Sequence, residues 1–188
     1  MDIDRFWELI DEAREQAGSW EEMDGPLEAA LSGLELDELL LWAQIFNEYQ
    51  RLSYKSKLWA AGYIINGGCS DDGFDYFRAW LTAQGREVFH EALHDPDSLA
   101  DVSSCEGDVE FEDLLSVAAR AFFVKTNQGR DYEFYSAELE RRPLPQAIRD
   151  EMLTGLDYAV DIDIQWDEDK GLEELLPKLC DAFEWSAG

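Results

Sequence analysis

The sequence predicts an all-α protein: a single helical domain over residues 1–188 with at most one short extended segment near 159–166. Apolar residues recur with the helical period in most segments, and strand-like alternation occurs in one stretch alone. The chain is 46% hydrophobic and 13% aromatic, a composition that excludes a disordered acidic protein. Its 188 residues are enough to bury one hydrophobic core.

The first third of the chain predicts a series of helices. Asp4 is the expected cap of a first helix that ends near Gly18, and a short segment follows at 27–31. Asp37 is the expected cap of a long helix, and residues 56–65 form the next one before the Gly67-Gly68 pair.

Glycine and proline residues divide the middle of the chain into separate segments. A helix is predicted to start at Ser70 or Asp71, to kink at Gly85 and to stop near Asp95-Pro96. Residues 101–112 are polar and acidic, which predicts a loop. Residues 114–125 carry a regular apolar stripe and predict a further helix.

The last third contains the one stretch that is not helical in pattern. Proline residues at 143 and 145 predict a turn, and residues 146–153 resume the helical period. Apolar and polar residues then alternate over 160–166, which predicts a strand or an extended segment over the helices. Residues 172–183 predict a final helix, with Pro177 in its first turns or between two short pieces.

The charge of the chain excludes some partners and favours others. Forty-three acidic residues face fifteen basic ones, for a net charge of -28. Such a charge repels the phosphates of nucleic acids and anionic membrane surfaces. It favours a basic protein as partner, or it serves solubility alone. We therefore predict no nucleic-acid or membrane partner and leave the oligomeric state open.

The cysteine residues and the N-terminus predict a cytoplasmic protein. Cys69, Cys105 and Cys180 are odd in number and widely spaced, which does not fit a disulfide framework or a CxxC zinc site. The acidic N-terminus does not resemble a signal peptide, and no apolar run is long enough for a membrane span.

Residues 90–94 read His-Glu-Ala-Leu-His, a match to the HExxH motif in which two histidines hold zinc and the glutamate is the general base. His90 and His94 are the chain's two histidines, so Glu110 or Glu112 would have to be the third ligand. The apolar stripe of this helix predicts that both histidines face solvent. We therefore predict no metal and no cofactor, and keep a zinc hydrolase as a secondary alternative.

The candidate site is the segment of residues 70–78. Ser70, Asp71 and Asp72 suit a helix N-terminus, and Asp71 and Asp75 share a face with Arg78, which predicts a structural carboxylate–guanidinium cluster. The functional alternative is a small binding pocket. Its candidate binding residues are Asp71, Asp72, Phe74, Phe77, Arg78, Trp59 and Trp80. Cys69 is a secondary candidate for a nucleophile at the helix start, and no catalytic residue is assigned.

A second candidate surface is the run of residues 157–174, which holds eight acidic residues and one lysine. Such a run is usually a solvated face. It could also meet a basic partner, with Trp166 as an aromatic anchor.

Residues 58–100, with their GGCSDDGF, FR, WL and DPDSLA segments, resemble a family of small bacterial proteins known as a domain of unknown function (number four-two-four-zero). The FWELIDEAR segment at 6–14 resembles the start of that family. The resemblance implies no activity, cofactor or catalytic residue. It implies that any shared role centres on residues 71–74 and 77–78 and not on the two histidines.

Two classes of function follow. The first is a non-enzymatic interaction protein, immunity-like or regulatory, for a basic partner. The second is a small-ligand binder or hydrolase that uses residues 70–78.

Overall fold

A computed structural model of the chain describes residues 1–102, 108–154, 156, 166 and 171–185. Every regular element in these residues is a helix, which confirms the all-α prediction. The elements are α1 (Ile3–Ala17), α2 (Asp24–Gly33), α3 (Leu36–Leu52), α4 (Ser56–Ile65), α5 (Asp71–Ala83), α6 (Arg86–His94), a 3₁₀ helix (Pro96–Asp101), α7 (Glu112–Thr126), α8 (Tyr132–Glu140), α9 (Gln146–Thr154), α10 (Leu172–Leu175) and α11 (Pro177–Ala182). None of the helices described is long and apolar enough to cross a membrane.

The chain divides into two compact units, each built from two separate stretches of sequence. The first unit comprises Met1–Tyr49 and Phe111–Thr154, and the second comprises Gln50–Glu110 and Gly155–Gly188. The single domain over residues 1–188 stays a prediction.

The first unit forms around helix α1, whose apolar side is buried against α2 and α9, while α2 packs on α7. Phe6 of α1 lies 5.1 Å from the ring of Trp42, which stacks on Phe46 at 5.4 Å. Aromatic rings in such pairs contribute large buried areas and geometric preference, so they fix how the helices of this unit meet. Asp2 caps α1 by accepting a hydrogen bond from the N–H of Arg5 at 2.8 Å. The prediction that Asp4 is the cap was therefore wrong, since Asp4 lies in the first turn.

The second unit is held at its C-terminal end by a buried carboxylate. Asp97 of the 3₁₀ helix accepts hydrogen bonds from the backbone N–H groups of Lys178 and Leu179, at 3.1 and 2.9 Å. These are the unpaired donors of the first turn of α11, where Pro177 has no N–H to donate. A side chain 81 residues away in sequence thus caps the last helix.

Several element boundaries differ from the sequence predictions. Gly85, with a positive φ of 92°, separates α5 from α6 and does not merely kink one helix. Asp37 lies in the first turn of α3, and residues 27–31 belong to a longer helix, α2. Helix α8 and the 3₁₀ helix were not predicted. The predicted extended segment lies outside the described residues, apart from Trp166.

Candidate functional site

A glycine turn in the second unit positions the start of α5. Helix α4 ends at Ile65, and Gly67 and Gly68 then adopt positive φ values of 66° and 149°. These are conformations that residues with a Cβ rarely adopt, so the pair permits the turn. Ser70 caps α5 by accepting the N–H of Gly73 at 3.1 Å. The predicted helix start at Ser70 or Asp71 is confirmed, with Ser70 as the capping residue.

Arg78 is the centre of the segment, and it is 5% exposed. Its guanidinium donates to the backbone oxygens of Gln50 and Phe74 and to the carboxylate of Asp75. The Cζ atom lies 4.9 Å from the ring centroid of Tyr54 and 4.8 Å from that of Phe74, within the range of cation–π attraction. The guanidinium therefore has its acceptors and its two aromatic faces inside its own unit.

Burial affects the pKa of the Arg78 guanidinium. Desolvation lowers the pKa of Arg78, and the neighbouring carboxylate of Asp75 opposes that change. An arginine nevertheless stays protonated at neutral pH. The site therefore keeps one buried positive charge neutralised mainly by Asp75, as the predicted carboxylate–guanidinium cluster requires.

Asp71 and Asp72 lie on the surface at the first turn of α5, where negative charge is favourable. Asp71 accepts a hydrogen bond from the hydroxyl of Tyr54 at 3.2 Å. Burial, and then this bond, raise the pKa of Tyr54. Of the two carboxylates predicted to cluster with Arg78, Asp75 is the direct ion partner, and Ser70 rather than Asp71 is the cap of the helix.

Three of the four aromatic residues predicted to bind a ligand are core residues. Phe74, Phe77 and Trp80 are fully buried. Trp59 is half-buried, stacks on Phe74 at 4.9 Å and donates its indole N–H to the backbone oxygen of Cys69 at 2.9 Å. Of the seven predicted binding residues, Asp71, Asp72 and part of Trp59 reach solvent. A binding role for the set stays a prediction.

Cys69 lies in a confined position next to the glycine turn. A Cβ atom on Gly62 would approach its sulfur at 3.4 Å, so the two chain segments are in close contact. Burial raises the pKa of the Cys69 thiol to about 12, and the negative charge of Glu110 adds to this increase. Since the thiolate is the nucleophile, a thiol with this pKa is unreactive at neutral pH, which argues against the alternative of a nucleophilic cysteine.

Residues 109–110 complete the surroundings of the turn, a placement that the sequence pattern does not predict. The N–H of Val109 donates to the side-chain oxygen of Asn66 at 3.0 Å. A carboxylate oxygen of Glu110 would lie 3.0 Å from a Cβ atom on Gly73, so the Glu110 side chain closely approaches the start of α5. Several residues that contact the 70–78 segment or the glycine turn lie outside that segment and belong to no local motif: Gln50, Tyr54, Asn66 and Glu110.

The HExxH motif occupies α6, at the end of which His94 is exposed. His90 is half-buried, so the expectation that both histidines face solvent holds for His94 alone. Among the described residues, no group of three His, Cys, Asp or Glu side chains is placed to hold a metal ion. The absence of a metal in the native protein stays a prediction.

The acidic run of residues 157–174 lies mostly outside the described part of the chain. Trp166, its proposed anchor, is half-buried and donates its indole N–H to the backbone oxygen of Ser56 at 3.0 Å. Its ring lies 5.6 Å from that of Tyr63, which also contacts Trp185 at 5.4 Å. Trp166 is thus engaged within its own unit.

Residues 1–123 match the sequence model of a family described as protein of unknown function (DUF4240). The chain belongs to this family. The matched part of this family member includes the glycine turn and the 70–78 segment, and it ends within α7. No curated protein gives a significant match to the chain, and neither does any solved structure.

Proposed function

We propose that this member of the family is a non-enzymatic interaction protein that binds a basic protein partner through its acidic surface, in an immunity-like or regulatory role. The observation that supports the proposal is that many basic side chains of the chain are already paired with its own carboxylates. At least eight of its fifteen lysine and arginine side chains form ion pairs with carboxylates of the same chain: Arg5, Arg14, Lys57, Arg78, Arg120, Arg141, Arg142 and Arg149.

Arg120 of the first unit is the clearest example. It binds the carboxylates of Asp24 and Glu28 at 2.8 and 2.7 Å and also approaches Asp113 at 3.6 Å. These ion pairs therefore connect α2 to α7. Because the Arg120 guanidinium is engaged in them, it does not neutralise other carboxylates on the surface. With most cations used in this way, a large excess of negative charge faces solvent, where it attracts a basic partner over long range.

The excess is shared between the units. The first contains 22 acidic and 8 basic residues, and the second contains 21 and 7. The total charge therefore does not select one unit as the binding surface, and an additional feature is needed.

An aromatic residue within an acidic cluster supplies that feature in the first unit. The half-buried ring of Trp20 lies 5.5 Å from that of Phe111, which brings the turn after α1 to the start of α7. The acidic residues next to these rings in sequence are all exposed: Glu21, Glu22, Glu112 and Asp113. We name these four and Trp20 the Trp20 surface. Interface hot spots are enriched in tryptophan, so Trp20 is the expected anchor and the carboxylates the steering charges.

The alternative of a ligand binder or hydrolase at residues 70–78 has less support. Each nitrogen of the Arg78 guanidinium already donates to an acceptor of its own unit, and three of the aromatic residues are fully buried. The exposed Asp71 and Asp72 favour the helix start by charge alone.

The test is capture of a partner from the source cells, followed by binding measurements on the two purified proteins. Glu21→Lys/Glu22→Lys reverses two charges of the Trp20 surface, and Glu87→Lys/Glu91→Lys is the matched control on exposed positions of α6. We expect a basic partner in a stoichiometric complex that the first variant weakens more than the second. An acidic or neutral partner, or equal effects of the two variants, would refute the proposal.

A further inference from the structure

The hairpin of α7 and α8 in the first unit presents a surface unlike the rest of this acidic chain. Among the described residues the exposed large hydrophobic side chains are Leu115, Val124 and Tyr132, and all three belong to α7 or α8. Val124 is 63% exposed and Tyr132 51% exposed. Tyr132 packs edge-on against Phe123 at 5.0 Å, and Val124 is the next residue of α7 in the chain.

The connection between the two helices holds this surface in place. Asn127 ends α7 in the left-handed conformation, with its N–H bonded to the oxygen of Phe123 at 3.0 Å. Asp131 then caps α8 by accepting the N–H of Phe134 at 2.9 Å. Beneath the exposed side chains, the ring of Phe122 contacts that of Tyr135 at 5.2 Å. Tyr132 and Val124 are therefore displayed on a packed hairpin.

The charges of this surface also differ from those elsewhere. Lys125 and Arg130 are exposed and, within the described part of the chain, form no ion pair. Asp131 and Glu133, also exposed, lie beside them. Two cations and two anions in ten residues give a locally neutral surface on a chain of net charge -28.

We propose that this hairpin surface, consisting of Val124, Lys125, Arg130, Asp131, Tyr132 and Glu133, is a homodimer interface that binds the same surface of a second copy. A two-fold interface must be self-complementary, because each patch meets its own copy. A surface with both signs of charge around exposed apolar groups meets that condition. A basic partner would be repelled by Lys125 and Arg130, and a wholly acidic one by Glu133.

Electrostatics also favours this place over others on the chain. Two copies repel each other wherever their uncompensated carboxylates approach, and the repulsion is screened over about 8 Å at physiological salt. At the locally neutral hairpin surface two copies can approach with little repulsion. The proposed surface begins at Val124, the residue after the part matched by the family model, so the inference concerns this chain and is independent of the proposed function.

The test is the mass of the particle in solution, measured by light scattering on a sizing column and by sedimentation equilibrium. The full chain should have twice its own mass of 21.6 kDa. Lys125→Glu/Arg130→Glu should raise the dissociation constant at least about tenfold, and Glu133→Lys should weaken the dimer as well. Lys178→Glu reverses an exposed cation of the other unit and should leave the dimer unchanged.

Mixing the variants makes the test specific for a two-fold interface. One variant has an acidic hairpin (Lys125→Glu/Arg130→Glu) and the other a basic one (Glu133→Lys), so the mixture should form a heterodimer more stable than either homodimer. Circular dichroism confirms that each variant is folded. A monomeric wild-type chain at the highest soluble concentration would overturn the inference, as would a dimer that neither hairpin variant affects.

Discussion

Replacement of the buried Arg78 by leucine tests whether the 70–78 segment serves stability. The substitution keeps an apolar side chain against the core but removes the charge-assisted hydrogen bond to the backbone oxygen of Gln50, a contribution of about 1.5–3 kcal/mol. It also removes the cation–π contacts with Tyr54 and Phe74, each of about 0.5–1 kcal/mol or more. Asp75 is left half-exposed, so water rehydrates its carboxylate and adds little to the cost.

The sum predicts that Arg78→Leu lowers the free energy of unfolding by about 2.5–5 kcal/mol. Urea unfolding followed by tryptophan fluorescence measures this, since Trp59 and Trp80 lie in the same unit. Arg86→Leu, at an exposed position at the start of α6, is the matched control and should cost less than about 1 kcal/mol. Equal midpoints for Arg78→Leu and the wild-type chain would refute the structural role of Arg78.

Three further predictions concern the second unit. Ser70→Ala removes the cap of α5 and should lower the free energy of unfolding by about 0.5–2 kcal/mol in the same urea assay, with Ser70→Asp retaining most of the stability. Cys69 has a pKa of about 12, against an ordinary value of 9.0, so alkylation of the folded protein at pH 8 should be far slower than that of an unfolded control. Because this pKa is raised on folding, the stabilising contribution is present below pH 9 and is lost as the pH rises toward 12; unfolding midpoints of wild type should fall over that range more than those of Cys69→Ala. Asp97→Ala leaves two buried N–H groups of α11 without their acceptor and should cost about 1–3 kcal/mol, with earlier proteolytic cleavage near residue 177, whereas cleavage at the wild-type rate would contradict the capping role.

Elements with strong periodicity or clear punctuation could be predicted from the sequence. Residues 56–65 were predicted as a helix, and α4 has those bounds. Pro177 separates α10 from α11, one of the two alternatives that its fixed φ allows. Helix α8 was missed because it buries little of its own surface and shows no apolar stripe; its aromatic residues pack on α7.

Only the part of the candidate site that lies within a single helix could be predicted from the sequence. The spacing of Asp75 and Arg78 within α5 predicted their ion pair, and Ser70 before Asp71 predicted the helix start. A further acceptor of Arg78, the backbone oxygen of Gln50, lies 28 residues earlier in the chain. A contact of that kind depends on how α3 meets α5, which local spacing does not encode.

The same limit explains why the pocket interpretation appeared reasonable from the sequence. Aromatic residues such as Trp59, Phe77 and Trp80 are typical of the walls of a ligand pocket. Aromatic residues at helical spacing are equally typical of a hydrophobic core. Phe74, Phe77 and Trp80 are fully buried, which shows that they belong to the core. Their burial depends on the neighbouring helices of the unit, which the spacing of residues within one helix does not predict.

The central claim, that the acidic surface recruits a basic partner, is tested most directly by the dissociation constant of the purified complex measured across a series of salt concentrations. We predict that affinity falls steeply as salt rises, and that Glu21→Lys/Glu22→Lys makes the dependence shallower while Glu87→Lys/Glu91→Lys changes it less. An affinity that does not change with salt, in a complex that forms equally well with both variants, would contradict the claim.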